Sequence, residues 1–215
     1  MNHSLNEIEA MSKRAARGAG LSWGLAEEAA KGTRWLAAFS FPGAEMLADL
    51  LTLNDRLPAL DFSPAVLSGT WAAPAGRMSP LIAGAAMSDC AVRMEAGQVI
   101  EMENVSLPLL VVPFAAGAAL RLGVPVSVTW EDARLTTDGQ RLCVQGEREA
   151  ILCSHASTLT CAAPAEMSGQ SEPVMRADVD PQAWEKLGEF AHRTYAPATE
   201  ASRILGAGAG LSDND

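Results

Sequence analysis

Two short stretches hold residues whose types and spacing can do chemistry. Near the start, Arg17 precedes Gly18-Ala19-Gly20-Leu21; near the end, Arg203 stands just before Gly206-Ala207-Gly208-Ala209-Gly210-Leu211. Successive amides in small residues can curl around an oxyanion while an arginine grips it with two N–H groups. Arg17, Gly18, Gly20, Arg203, Gly206 and Gly208 are therefore candidate binding residues for a carboxylate or phosphate. The alternative makes Gly18 and Gly206 helix stops, Gly20 a turn and 207–215 a solvated tail. Neither run is a phosphate signature, since the order is not GxGxxG and no Gly-Lys-Ser/Thr follows.

His192, Arg193 and the single tyrosine, Tyr195, fall where one helix is expected to give way to another. His192 can serve as general acid or base and Tyr195 as donor to a developing oxyanion, which makes both candidate catalytic residues. Against this, Arg193 stands one turn from Glu189, and a tyrosine at a core edge ordinarily bonds backbone. Cys153, His155 and Cys161 have even spacings and share one face of a strand read over 151–162. Zinc needs further ligands, for which Cys143 is the only suggestion, and alternate strand residues about 6.6 Å apart are too distant for a Cys–His pair. Core thiols beside a partly buried histidine are the plainer reading, with no metal. HExxH, GxSxG, EF-hand, kinase and dinucleotide signatures are absent, and no cofactor is implied.

The bulk composition narrows the partners. Hydrophobic residues make up 48% of the 215 and charged residues 20%, values that describe a globular chain with a sizeable core. Net charge is −10 and no basic run exceeds Lys13-Arg14, so a nucleic-acid surface and an anionic membrane surface are both disfavoured. Apolar runs such as 107–120 are interrupted by Pro108, Pro113 and Gly117, which argues against a membrane span. No secretory signal is visible and the four cysteines form no disulfide framework, so a cytoplasmic protein with reduced thiols is expected.

The elements that must position these residues follow from periodicity and punctuation. Ser4-Leu5-Asn6-Glu7 is a capping box that opens a helix running to Gly18. A second helix is expected over 22–39, apolar on all but a stripe of Glu27, Lys31 and Arg34, with Glu27 and Lys31 paired and Trp23 on the buried side. A third covers 44–53, then 54–76 is a Pro, Gly and Ser-rich connection. The small-residue run 81–91 fits either a strand or a tightly packed helix. Strands are expected from 99, over 124–130, at 142–145 after a two-residue Asp138-Gly139 turn, over 151–162 and over 173–179, with a helix at 114–122 closed by Gly123. Asp180-Pro181 caps a further helix, which breaks near Tyr195 and Pro197 before a short helix at 198–205.

Helices at both ends around gathered strands indicate one α+β domain spanning 1–215, with 1–53 as a possible helical subdomain. The sheet is expected to be antiparallel or mixed, with the C-terminal helices packing back onto it. The phrases SLNEIEAMSKRAARGAGLSWGLAEEAAKGTRWLA and TYAPATEASRILGAGAGLSDND resemble a bacterial family of uncharacterised proteins, a domain of unknown function, over the whole chain. The resemblance implies a stand-alone cytoplasmic protein and carries no activity, cofactor or catalytic residue. Two functions remain open. One is an enzyme or binder acting on a small anionic metabolite in a pocket closed by the C-terminal segment. The other is a non-catalytic accessory or homo-oligomer-forming subunit whose tail docks on a partner or neighbouring protomer.

Overall fold

The Ser4 box forms as the sequence dictates. Glu7 N–H donates to the Ser4 hydroxyl, and the Ser4 N–H donates back to the Glu7 carboxylate at 2.7 Å. In the computed structural model, which describes residues 1–169 and 171–195, this cap starts α1 (Leu5–Gly18) directly after a short strand β1 (Asn2–Ser4). Helices α2 (Trp23–Ala38) and α3 (Gly43–Leu53) follow and pack with α1 as a helical layer. The charges on α2 reach across to α1: Glu27 pairs with Lys13 at 2.6 Å and Arg34 with Glu9 at 2.9 Å. The expected Glu27–Lys31 pair gives way to these contacts because the antiparallel neighbour brings a cation closer than the next turn does. Trp23, read as buried, is 65% exposed; α2 packs instead through small residues such as Ala26, Ala29 and Gly32.

The connection carries a 3-10 turn at Ala59–Phe62 and a two-residue strand β2 (Thr70–Trp71). Residues 81–91, ambiguous in the sequence, resolve as helix α4 (Pro80–Asp89), trailed by a one-turn α5 (Val92–Glu95). Strand β3 (Ile100–Ser106) leads through a 3-10 turn into α6 (Val112–Leu122), which Gly123 closes in the left-handed region at φ 70°. Strands β4 (Val126–Trp130), β5 (Ala133–Thr137) and β6 (Leu142–Gln145) form a meander. Thr137 pairs with Leu142, so the loop at Asp138-Gly139 has four residues and not the two expected. The Asp138 carboxylate accepts from the amides of Gln140 and Arg141, which stabilises the longer turn.

A one-turn α7 (Arg148–Ile151) occupies the start of the stretch read as a strand, and β7 (His155–Ala162) begins four residues later. Of 173–179 only β8 (Arg176–Asp178) is extended, and it pairs with β1 rather than with the main sheet. The main sheet is six-stranded in the order β2-β3-β7-β4-β5-β6, antiparallel except for the parallel β2–β3 pair. The fold is α+β, a mixed sheet with a helical layer from both ends of the chain. Helices α4 and α6 lie between the two layers and share the core, with Trp71 and Trp130 fully buried on the sheet side.

The last helix, α8 (Pro181–His192), opens as Asp180-Pro181 predicts, the Asp180 carboxylate accepting from Gln182 and Ala183 N–H. It lies against α1 and α3. The β1–β8 pairing positions it by holding the start of α1 beside the start of α8. Arg203, Gly206, Gly208 and the helix read at 198–205 lie outside the described residues.

Candidate functional site

The first glycine run does not form an anion nest. Ala19 N–H donates to the Ala15 carbonyl, Gly20 N–H to Arg17 and Leu21 N–H to Ala16, so the helix's own carbonyls consume all three amides. This is a Schellman ending in which Gly20, at φ 94°, is the left-handed residue. Gly18 is the last helical residue, and its role is space. A β-carbon there would collide with the Phe190 carbonyl of α8. Arg17 donates to the Leu21 carbonyl and lays its guanidinium over the Trp23 ring, 4.4 Å from the centroid.

His192 and Tyr195 meet edge to face, ring centroids 5.5 Å apart, and both are exposed. The Tyr195 hydroxyl accepts from Arg14 at 3.2 Å, while the imidazole makes no side-chain hydrogen bond among the described residues. Arg193 does not pair with Glu189, which Lys186 occupies; it makes a two-pronged contact with Asp55 at 2.6 and 3.1 Å. The Arg193 hydrogen bond holds the Asp55 carboxyl below its usual range. This contact pins the end of α8 to the second residue past the end of α3.

Cys153 precedes β7, His155 is exposed on it, and Cys161 is fully buried, so the expected shared face does not exist. The side-chain alternation of β3 and β7 slips around Asn104, which takes the left-handed region at φ 54°. Burial pushes the Cys161 thiol up to about 12. Among the described residues no group of three or more His, Cys, Asp and Glu is placed to hold a metal ion.

A different set of groups does converge. A cleft of about 210 Å³ opens where the α1–α2 turn, the end of α3, the 59–62 turn and the start of α4 meet. Its walls are mainly apolar, from Leu25, Leu50, Leu51, Leu57 and Phe62. Gly20 and Leu21 line one side, so the stretch singled out in the sequence borders the cleft with its backbone. Ser22, Asn54 and Ser79 supply the polar side chains. The Asn54 carbonyl oxygen accepts from Arg77 at 2.6 Å, and Arg77 lies over the Phe62 ring, 4.1 Å from the centroid. Burial pulls the Arg77 guanidinium below its ordinary range, and neither it nor Arg17 has a carboxylate partner among the described residues.

The start of α4 went unread in the sequence. Ser79-Pro80 carries the same cap-then-proline signal as Asp180-Pro181, but the featureless run behind it hid the helix. Ser79 is 5% exposed, and its hydroxyl neither caps α4 nor bonds any other described group.

Residues 3–79 match the model of a family described as a protein of unknown function, DUF3726. The match covers α1, α2, α3 and the 54–79 connection, which supply all of the cleft except its α4 wall. No curated protein matches the chain. Among solved structures, malate dehydrogenase from Entamoeba histolytica is similar at 10% identity and a TM-score of 0.40, over 67% of this chain and 45% of that one. The chain thus spans less than half the length of that protein, and similarity this slight carries no activity across. No helix among the described residues is long and apolar enough to cross a membrane.

Proposed function

We propose that the protein binds a small anionic metabolite in the cleft between the α1–α2 turn, α3 and α4, with residues 196–215 closing over it. The observation that carries this reading is an apolar cleft flanked by two half-buried guanidinium groups just behind its lining, Arg17 bonded to the lining Leu21 and Arg77 bonded to the lining Asn54, neither with a carboxylate partner among the described residues. A half-buried cation without a counter-charge is costly to keep, and an anionic ligand would offset that cost. Residues 196–215 follow Tyr195, which is two residues past the Arg193–Asp55 contact, and Asp55 adjoins the cleft-lining Asn54. In this reading Arg203, Gly206 and Gly208 complete the site from the segment side, Gly20 forms part of its wall, and His192 and Tyr195 stand at the point where that segment begins.

The test compares the full chain with a version ending at Tyr195 in thermal unfolding against a panel of carboxylates and phosphates. A ligand that stabilises the full chain more than the shortened one, and less after Arg203→Ala, supports closure over the cleft. If no compound stabilises either version, the reading fails.

A second reading is a non-catalytic subunit with a protein partner. It rests on Leu53, Leu57 and Leu60, which are 47%, 49% and 81% exposed along the segment after α3. Shortening the chain would then alter only the particle mass seen by light scattering.

A further inference from the structure

Resting on the cleft reading above, we infer that the ligand is a singly charged carboxylic acid with an apolar body, its carboxylate held at the start of α4 by Ser79 and the N–H groups of Leu81 and Ile82. The first turn of any helix has amides without intrahelical acceptors. At α1 the Ser4 side chain satisfies one, and at α8 the Asp180 carboxylate satisfies two. At α4, Pro80 has no N–H, and the Leu81 and Ile82 amides find no acceptor among the described residues. Ser79 occupies the capping position without making the capping bond.

Three donors are therefore unspent, and all three residues line the same cleft. Ser79 is 95% removed from solvent and lines the cleft, so its unused hydroxyl is a donor open to a ligand seated there. A carboxylate fits this set: its oxygens accept several N–H and O–H bonds, and the helix N-terminus favours negative charge. Asn54 adds a fourth group. Its oxygen is committed to Arg77, which leaves its amide N–H groups as donors on the cleft wall.

The walls decide the remainder of the ligand. Leu25, Leu50, Leu51, Leu57 and Phe62 offer no partner for hydroxyls or a second charge, so the body is aliphatic or aromatic. A phosphate carries close to two charges, and no lysine or arginine side chain among the described residues lines the cleft to balance the second. The chemistry thus selects a monocarboxylate over phosphate and over an uncharged body of the same shape.

Three probes on the full chain test this: hexanoate, 1-hexanol and inorganic phosphate, each followed by thermal unfolding and calorimetric titration. Hexanoate is expected to bind about tenfold more tightly than hexanol, the size of a charge-assisted hydrogen bond or two, with phosphate leaving Tm unchanged. Ser79→Ala should remove most of that preference. Ser79→Asp supplies the missing cap from within, so it should raise Tm and abolish the hexanoate preference. Equal affinity for hexanoate and hexanol would overturn the carboxylate seat while leaving a ligand-binding cleft in place. A preference that survives both Ser79 variants would place the head elsewhere and overturn it too. If neither compound binds, the cleft reading itself falls, and this inference with it.

Discussion

Gly18 of α1 lies against the carbonyl oxygen of Phe190 in α8 so closely that no side chain fits between them. The absence of a β-carbon lets the first and last described helices cross in contact, and that crossing sets where the chain leaves α8. Gly18→Ala is expected to cost about 2–3 kcal/mol, because backbone and not a pliable side chain must move. Gly188→Ala, on α8 with open space around it, should instead gain about 0.5–1 kcal/mol from helix propensity. Urea unfolding of both variants checks the pair; equal effects would show that the crossing is looser than described.

The Arg193–Asp55 contact predicts an acid dependence. Hydrogen bonding to Arg193 lowers the Asp55 pKa in the folded state, so the carboxylate's contribution is complete above the unfolded value of about 3.9 and lost as pH falls through the lower folded value. Asp55→Asn should therefore be less stable than the parent at neutral pH, with the gap narrowing below about pH 4. Parallel stability curves for the two proteins down to acid unfolding would contradict the pairing.

Cys161 makes a prediction at the other end of the scale. Its thiol is fully buried, and burial pushes it up to about 12 in the folded chain. The folded state therefore keeps a proton that the unfolded chain gives up above about 8.5, and stability declines as pH rises from there toward 12. In native buffer at pH 8, Cys161 should react with a thiol reagent only as fast as the protein unfolds, while the half-exposed Cys90 reacts first. Mass spectrometry of partly labelled protein reads the order directly.

Ser12 is fully buried on α1 with a hydroxyl that has no hydrogen-bond partner among the described residues. Ser12→Ala removes that unsatisfied group and improves helix propensity, so a gain of about 1 kcal/mol is expected. A loss of stability on chemical denaturation would mean that the hydroxyl has a partner.

The sequence by itself determined the features decided within a few residues. The Ser4 box, the Asp180-Pro181 start, the Gly123 stop and the alternation of Val126, Val128 and Trp130 all stand as read, because caps, turns and pleats are satisfied by near neighbours. Its α+β class followed from the order of those elements. Where partners compete across space, the tertiary structure decided. Arg193 had Glu189 one turn away and took Asp55; Glu27 had Lys31 and took Lys13. The Arg17 and Gly20 stretch was legible as unusual, but its amides went to the helix's own carbonyls, and only folding placed Gly20 beside Ser79 in one cleft. Which donors stay unspent depends on what every distant segment brings to them, and a linear pattern does not record that.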